Sequence, residues 1–314
     1  MVVVFHVGYY KEPWTATDMD RTGLGGSEKC VALIADQFSK AGNDVYVVGD
    51  VHENNRGDNP RYLAFSSVGE VPQEIDLLVG VNYIHYLVVY QNHKVKKNAF
   101  WMHNTEFYPW YRGVELDPNV YHLNSYKIDH VVCLTGWHKE TISNRFIVDP
   151  KRIQVIGNPV NVEAFVPYKH EDKIKHSFIY TSHAERGLTN VIEEWPSILE
   201  TLPDATLHIA TPMYGMDYFN DRYLHRVLQM PNTIFYGSLG QKELYNLMAA
   251  CEVWYYPSDY EETFCLTAIE MLGHGVIPVT RMRASLQNVL EGKNINTWTE
   301  AIQIAEKWRT KEKM

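Results

Sequence analysis

Cysteine is scarce in this chain and follows no pattern. Cys30, Cys133, Cys251 and Cys265 are the only four in 314 residues, and no two stand in C-x-x-C spacing. That excludes a disulfide framework and a zinc knuckle as the basis of the fold, and points to a reduced, cytoplasmic protein. Long apolar runs are missing too. Nothing approaches the roughly 20 residues of a membrane span, and the opening Met1-Val2-Val3-Val4-Phe5 is too short for a signal peptide and lacks a basic flank. Basic excess is absent: a net charge of -9 with no basic stripe argues against a dedicated nucleic-acid binder. The one basic cluster, His93-Lys94-Val95-Lys96-Lys97, reads as a solvated loop, with peripheral membrane contact as the most it would support. No internal repeat or low-complexity tract is present.

What remains is ordinary globular material, 45% hydrophobic and 21% charged, in a chain longer than one core usually needs. Short apolar runs alternate with helical patterns, the signature of parallel sheets with crossover helices. Strands are expected at Val2–Val7, Asp44–Gly49, Tyr62–Phe65, Ile75–Val79, Ala99–His103, His130–Leu134 and Ile153–Ile156. Helices are expected over Lys29–Lys40, closed by Gly42, and from Gly136 to about Phe146. A polar, proline-bearing stretch follows. A second series then begins: strands Ser177–Thr181, Thr206–Ala210, Thr233–Tyr236, Val253–Tyr256 and Val276–Thr280, with helices Asn190–Leu202, Gln241–Ala250 and Phe264–Leu272. The reading is α/β, with two facing Rossmann-like, doubly wound domains: residues 1–160, a linker 161–175, and residues 176–314. Ligands of such sheets lie at the carboxyl ends of the strands, here in the interdomain cleft.

The most informative stretch runs from Tyr255 to Glu270: a buried strand, an acidic loop, then a helix carrying Glu270 eight residues after Glu262. A helix start offers unpaired amides and a positive dipole end to an anion. On one regular helix the two glutamates would stand roughly 12 Å apart, beyond the roughly 5–9.5 Å that glycosidase carboxyl pairs need. That spacing suits the two ends of a nucleotide sugar. The plainer alternative is a surface helix whose Leu266, Ile269 and Leu272 face the core while Glu270 faces water.

The segment PSDYEETFCLTAIEMLGHGVIPVT resembles the C-terminal signature of family-four retaining glycosyltransferases of the GT-B fold. Three further blocks resemble the same family in order: GGSEKCVALIADQFSKAGNDVYVV, VVCLTGWHKETISNRFIVDPKRIQVIGNPVNVEAF and YTSHAERGLTNVIEEWPSILETLPDATLHIA. Any one alone would be weak; together they span nearly the whole chain. The resemblance implies that Glu262 contacts the donor sugar and Glu270 the ribose hydroxyls. It implies that backbone amides of Thr263, Phe264, Cys265 and Leu266 meet the diphosphate and sugar, with Ser182 also on the donor. Arg186 stands where the family carries a lysine before glycine, and its forked donors fit a leaving diphosphate. Otherwise Arg186 is a solvated helix-entry charge. Gly25 and Gly26 would let the backbone approach a phosphate, or simply make a tight turn, or both. His103 reads as a residue near the donor sugar or as a structural histidine, and Asn158 as a cleft residue or a turn asparagine before proline.

An NAD site is disfavoured, because Glu28 replaces the third glycine of a dinucleotide fingerprint and the glycines come too late after the first strand. Asp18 and Asp20 form a D-x-D pair in a loop before the first long helix, whereas the metal-binding motif of the other glycosyltransferase fold normally ends a strand deeper in the chain; two aspartates in a polar loop are the plainer reading. No metal and no cofactor are therefore expected.

The sequence departs from the family pattern in three places. Thr181 and Ser182 stand where an arginine is usual, which invites compensation by Arg281 or Arg283. Asn158-Pro159-Val160-Asn161 replaces N-G-V-D. The tail after Leu290 shows no long closing segment, and a missing return helix would loosen the coupling of the domains. The resulting expectation is a metal-independent transferase moving a hexose from a nucleoside diphosphate sugar to a glycan, glycolipid or glycoprotein hydroxyl. The alternatives are a nucleotide-sugar binding protein without turnover and a sugar-nucleotide epimerase on the same scaffold.

Overall fold

The apolar runs form two separate parallel sheets. The computed structural model describes residues 1–8, 13–21, 23–51, 58–106, 110–111, 114–115, 125–211 and 217–311. Strands β1 (Val2–Val7), β2 (Asp44–Gly49), β3 (Arg61–Ala64), β4 (Glu74–Val81) and β5 (Lys94–Trp101) are followed by two-residue strands β6 (Trp110–Tyr111) and β7 (Val114–Glu115), then β8 (His130–Cys133) and β9 (Ile153–Val155). The second series comprises β10 (Ser177–Tyr180), β11 (Thr206–Ile209), β12 (Thr233–Phe235), β13 (Val253–Tyr256) and β14 (Ile277–Thr280). The first sheet has seven strands in the order β3-β2-β1-β4-β5-β8-β9, and the second has five in the order β12-β11-β10-β13-β14. Every pairing within these two sheets is parallel. Residues Val3–Val7 and all of Val253–Tyr256 are buried, as strands covered by helices on both faces require.

Two compact units result. One holds Met1–Asp18 and Leu24–Pro159, the other Met19–Gly23 and Val160–Met314. In the first, Tyr86 stacks on Phe100 (5.9 Å, 10°), and a Cβ on Gly80 would stand 2.2 Å from the Tyr86 ring, so the packing itself demands glycine there. In the second, the fully buried Trp195, Trp254, Tyr180, Tyr245 and Phe178 fill the space beside the sheet. Within each sheet the chain order reverses beside the first strand, between β1 and β4 and between β10 and β13. Those are the switch points where open α/β sheets receive ligands.

Several details differ from the sequence reading. The basic cluster is not a solvated loop: β5 begins at Lys94, and Lys94 and Lys96 pair with Glu74 (3.1 Å) and Asp76 (2.6 Å) on β4. Cross-strand charge pairing let a strand form where its lysines suggested a loop. Segment 161–175 packs onto the second unit. Phe165 meets Tyr245 edge-on (5.4 Å, 86°), and the buried Lys173 ammonium donates to the carbonyls of Met248 (3.5 Å), Ala249 (3.0 Å), Cys251 (2.7 Å) and His274 (2.9 Å).

Helix Asp217–Leu228 and the closing helix Trp298–Lys311 were not expected. The latter buries Ala301, Ile302 and Ala305, and its Arg309 pairs with the buried Glu252 at 3.1 Å. The segment after Leu290 is therefore a packed part of the second unit. Helix Leu188–Thr201 runs through Pro196 without ending. Among the described residues, no helix is long and apolar enough to cross a membrane.

Candidate functional site

The switch point of the second sheet gathers the candidate donor residues. Beyond β10, the chain passes Thr181 and Ser182 into a 3-10 turn, Ala184–Arg186, ending at Gly187 with φ +104°. A Cβ on Gly187 would lie 3.0 Å from the Ser258 Cα and 3.4 Å from the Pro257 carbonyl, in a backbone region that favours glycine. Glycine there lets the Arg186 turn settle on the loop leaving β13. Asn190 fastens the same loop by donating to the Pro257 carbonyl (2.6 Å).

That loop delivers Glu262 to Arg186. The Arg186 guanidinium donates through Nη1 to both Glu262 carboxylate oxygens (3.2 and 3.3 Å), while the Tyr256 hydroxyl donates to Glu262 Oε1 (2.8 Å). Tyr260 lies under Arg186, its ring centroid 4.3 Å from the guanidinium carbon. Glu262 is 6% exposed, so its carboxylate turns inward and away from bulk water. Burial works against the Arg186 charge, but the Glu262 carboxylate and the tyrosines beside it outweigh burial and hold its pKa above the ordinary value. Burial, then the Glu262 charge, pushes the Tyr256 hydroxyl well up, so it remains a donor.

The helix expected from Phe264 opens two residues later, as Leu266–Gly273. Cys265 caps it in the left-handed region (φ +64°), and its side chain makes no capping bond. Thr263 and Phe264 consequently lie in the loop ahead of the helix, because the left-handed turn at Cys265 breaks the helical path. Cys265 and Leu266 stand at the helix entrance, where unpaired amides and the dipole favour an anion. The Cys265 thiol is pushed up, by burial first and then by Glu262, which leaves it protonated.

Glu270 does not face water: it is 4% exposed and accepts from the Tyr245 hydroxyl at 2.9 Å. Its carbonyl accepts from His274 Nδ1 (2.7 Å), whose Nε2 in turn accepts the Val166 amide (3.1 Å). Arg281 and Arg283, the candidates to stand in for the absent arginine, are engaged with carboxylates. Arg281 pairs with Asp259 and with Glu194 (3.4 Å), and Arg283 with Glu261 (3.4 Å). The acidic loop before Glu262 is thus pinned by these exposed cations.

In the first unit, Gly25 caps helix Gly26–Lys40 in an extended conformation. Asn82, at the carboxyl end of β4, joins this helix start to His103. Its Nδ2 donates to Ser27 Oγ (3.1 Å), and its Oδ1 accepts the His103 amide (2.7 Å). The His103 imidazole packs on Trp101 (4.6 Å), and burial followed by His138 lowers its pKa to about 3, so it stays neutral. Asp18 and Asp20 lie in the short helix Asp18–Arg21, where Asp18 accepts from the Thr15 amide (2.7 Å). Asn158 follows β9 in an irregular segment. Asn82 and Tyr256 escaped the sequence reading. Each had a signal: a polar or hydroxyl-bearing side chain at the carboxyl end of an apolar strand.

Residues 175–307 match the family described as glycosyl transferases group 1. No curated protein sequence matches the chain. Among solved structures, sucrose-phosphate synthase from Thermosynechococcus elongatus superposes with a TM-score of 0.69 at 14% identity, over 99% of this chain and 91% of that one. Anabaena Alr3699/HepE in complex with UDP-glucose gives 0.67 at 14% identity over 98% and 88%. The trehalose-6-phosphate protein from E. coli bound with UDP-2-fluoro glucose gives 0.66 at 11% identity over 98% and 90%. At these identities the likeness establishes the fold.

Proposed function

We propose that this chain, whose residues 175–307 match the glycosyl transferases group 1 and which carries the GT-B fold, transfers a hexose from a nucleoside diphosphate sugar to an acceptor hydroxyl. In this reading the transfer retains anomeric configuration, needs no metal, and serves a glycan, glycolipid or glycoprotein acceptor in the cytoplasm. The supporting observation is the Arg186–Glu262 pair, held by Tyr256 at the switch point of the second sheet and close in sequence to the helix start at Cys265.

The chemistry follows from charge. As the sugar–phosphate bond breaks, negative charge grows on the leaving diphosphate. In this reading Arg186, once drawn from Glu262, and the amides of Cys265 and Leu266 donate to that charge, which is how such groups lower a barrier. The leaving phosphate takes the acceptor proton, so no protein base is needed. Glu262 accepts from donor-sugar hydroxyls and Glu270 from the ribose hydroxyls. Tyr245 fixes the Glu270 carboxylate for that task. Ser182 completes the donor contacts of the second unit in this reading. Cys133 and Cys251 are free thiols whose burial pushes them up to about 12.

The test measures nucleotide affinity by calorimetry and turnover by diphosphate release. Glu270→Ala is expected to weaken nucleotide binding by about 1.5–3 kcal/mol, the worth of a charged hydrogen bond. Arg186→Ala is expected mainly to slow turnover, by about a hundredfold or more. Unchanged values in both variants would remove the assignment, and loss of turnover on chelation would remove metal independence. A binder without turnover is the second reading, favoured by Thr181 and Ser182 standing where an arginine is usual while Arg281 and Arg283 are engaged elsewhere. It predicts nucleotide binding with no diphosphate release from any acceptor.

A further inference from the structure

We propose that Tyr256 is a positioning residue for the donor sugar: its hydroxyl keeps the Glu262 carboxylate aimed at the sugar once Arg186 turns to the diphosphate. The inference rests on the donor-site reading above.

Two donors hold Glu262, and they differ in freedom. Arg186 reaches both oxygens, yet its side chain is 34% exposed against 8% for Glu262. Its ring partner among the described residues, Tyr260, is itself among the exposed aromatics. An arriving diphosphate competes for the guanidinium with more negative charge than one carboxylate carries, and the planar fork has room to turn toward it. Tyr256 has no such room. It is fully buried, stacked on Trp254 (5.1 Å, 14°) and packed against Tyr180 (6.0 Å). Its hydroxyl grips Oε1 from a fixed ring.

When Arg186 is drawn to phosphate, a carboxylate without Tyr256 would lose its last side-chain donor in a buried site and turn away. With Tyr256 in place, Oε1 stays anchored and Oε2 is presented to a sugar hydroxyl. The hydroxyl therefore acts on the sugar and not on the nucleotide. That is the signature by which it can be told from a merely structural tyrosine.

The experiment compares wild type with Tyr256→Phe, which keeps the ring and removes one oxygen. Affinities for UDP and UDP-glucose, and for the GDP and ADP pairs, are measured by calorimetry, with melting temperature as the folding control. With whichever pair the wild type binds, UDP-type affinity is expected to stay within about twofold while the sugar nucleotide weakens about tenfold, one charged hydrogen bond's worth. In a Glu262→Gln background, Tyr256→Phe is expected to add little, because the two act as one unit. Equal loss for nucleotide and sugar nucleotide, no loss for either, or full additivity in the double variant would each overturn the role of Tyr256 while leaving the donor site standing. Failure of the wild type to bind any of the six ligands would instead overturn the donor-site reading, and the inference with it.

Discussion

Replacing Lys173 by methionine tests which of two opposed forces governs a buried cation. Lys173 sits where two helices end: Met248, Ala249 and Cys251 close Gln241–Ala250, and His274 follows Leu266–Gly273. Helix carboxyl ends favour a positive charge, and the ammonium has an acceptor for each of its protons. Burial acts the other way and wins, lowering its pKa from 10.5 to about 8 despite support from Cys251 and Glu252.

Removing the amine leaves buried carbonyls without their donor, at about 1–3 kcal/mol for each one stranded. Lys173→Met should therefore cost about 3–5 kcal/mol near neutral pH, in the range for breaking a buried charged contact. The folded pKa lies below the unfolded one, so between about pH 8 and 10.5 the unfolded chain holds the proton that the folded chain has lost. Stability must then rise with pH across that window, by about 3 kcal/mol at most. Urea denaturation of both proteins at intervals across the window isolates the effect, since methionine does not titrate. The gap between wild type and variant should widen as pH rises. A gap that narrows would mean that the carbonyls and helix ends outweigh burial, and a flat gap would mean that the two cancel. Either refutes the ordering of forces used here.

Glu28→Gln probes the opposite sign. Burial raises Glu28 to about 7 from 4.5, so its contribution is present below pH 4.5 and lost as pH rises through 7. Relative to wild type, the glutamine variant should gain about 3 kcal/mol between those limits, read as a melting-temperature difference that grows with pH; no growth would place Glu28 in contact with water or a cation. Gly187→Ala should destabilise the second unit by about 1–2 kcal/mol from its left-handed backbone alone, and more from the 3.0 Å approach to Ser258, with turnover falling beyond what stability explains because Arg186 is displaced. An unchanged rate and melting temperature would show that the turn relaxes freely. The Arg186, Glu270 and Tyr256 variants described above complete the set.

The fold was legible because its strands are continuous apolar runs of a kind that only a doubly covered parallel sheet makes. Val2–Val7, Asp44–Gly49 and Val253–Tyr256 appear with the bounds expected. What escaped did so for identifiable reasons. Lys94, Lys96 and Lys97 hid the first half of β5, because a strand can carry lysines when carboxylates on its neighbour meet them. Helix Trp298–Lys311 carries its buried Ala301, Ile302 and Ala305 at helical spacing, but small residues give a weak apolar signal. In the site, Glu262 and Glu270 were visible as carboxylates in a recognisable pattern. Tyr256 was marked only by its hydroxyl at the carboxyl end of an apolar strand, a signal that does not name the carboxylate six residues on as its partner. Likewise, the engagement of Arg281 and Arg283 with Asp259, Glu261 and Glu194 depends on how two loops and helix Leu188–Thr201 lie side by side.

Six non-glycine residues among those described have positive φ. Non-glycine residues with positive φ cost about 1–2 kcal/mol each, and glycine would relieve that cost. Asn82 (φ 61°) ends β4, Cys265 (φ 64°) opens the helix after β13, and Met282 (φ 46°) and Ala284 (φ 53°) flank the loop after β14. These four lie beyond the carboxyl ends of parallel strands, where such sheets receive ligands, whereas His176 (φ 55°) and Asn232 (φ 54°) stand at the amino ends of β10 and β12. At Asn82 the reason for a side chain is explicit. Its backbone amide donates to the Trp101 carbonyl (3.0 Å), and its carboxamide ties Ser27 to His103. A glycine would relax the backbone and release both partners. The chain therefore carries strain at Asn82 in exchange for holding a helix start and a histidine in fixed relation, which is the relation a binding surface on that unit would require.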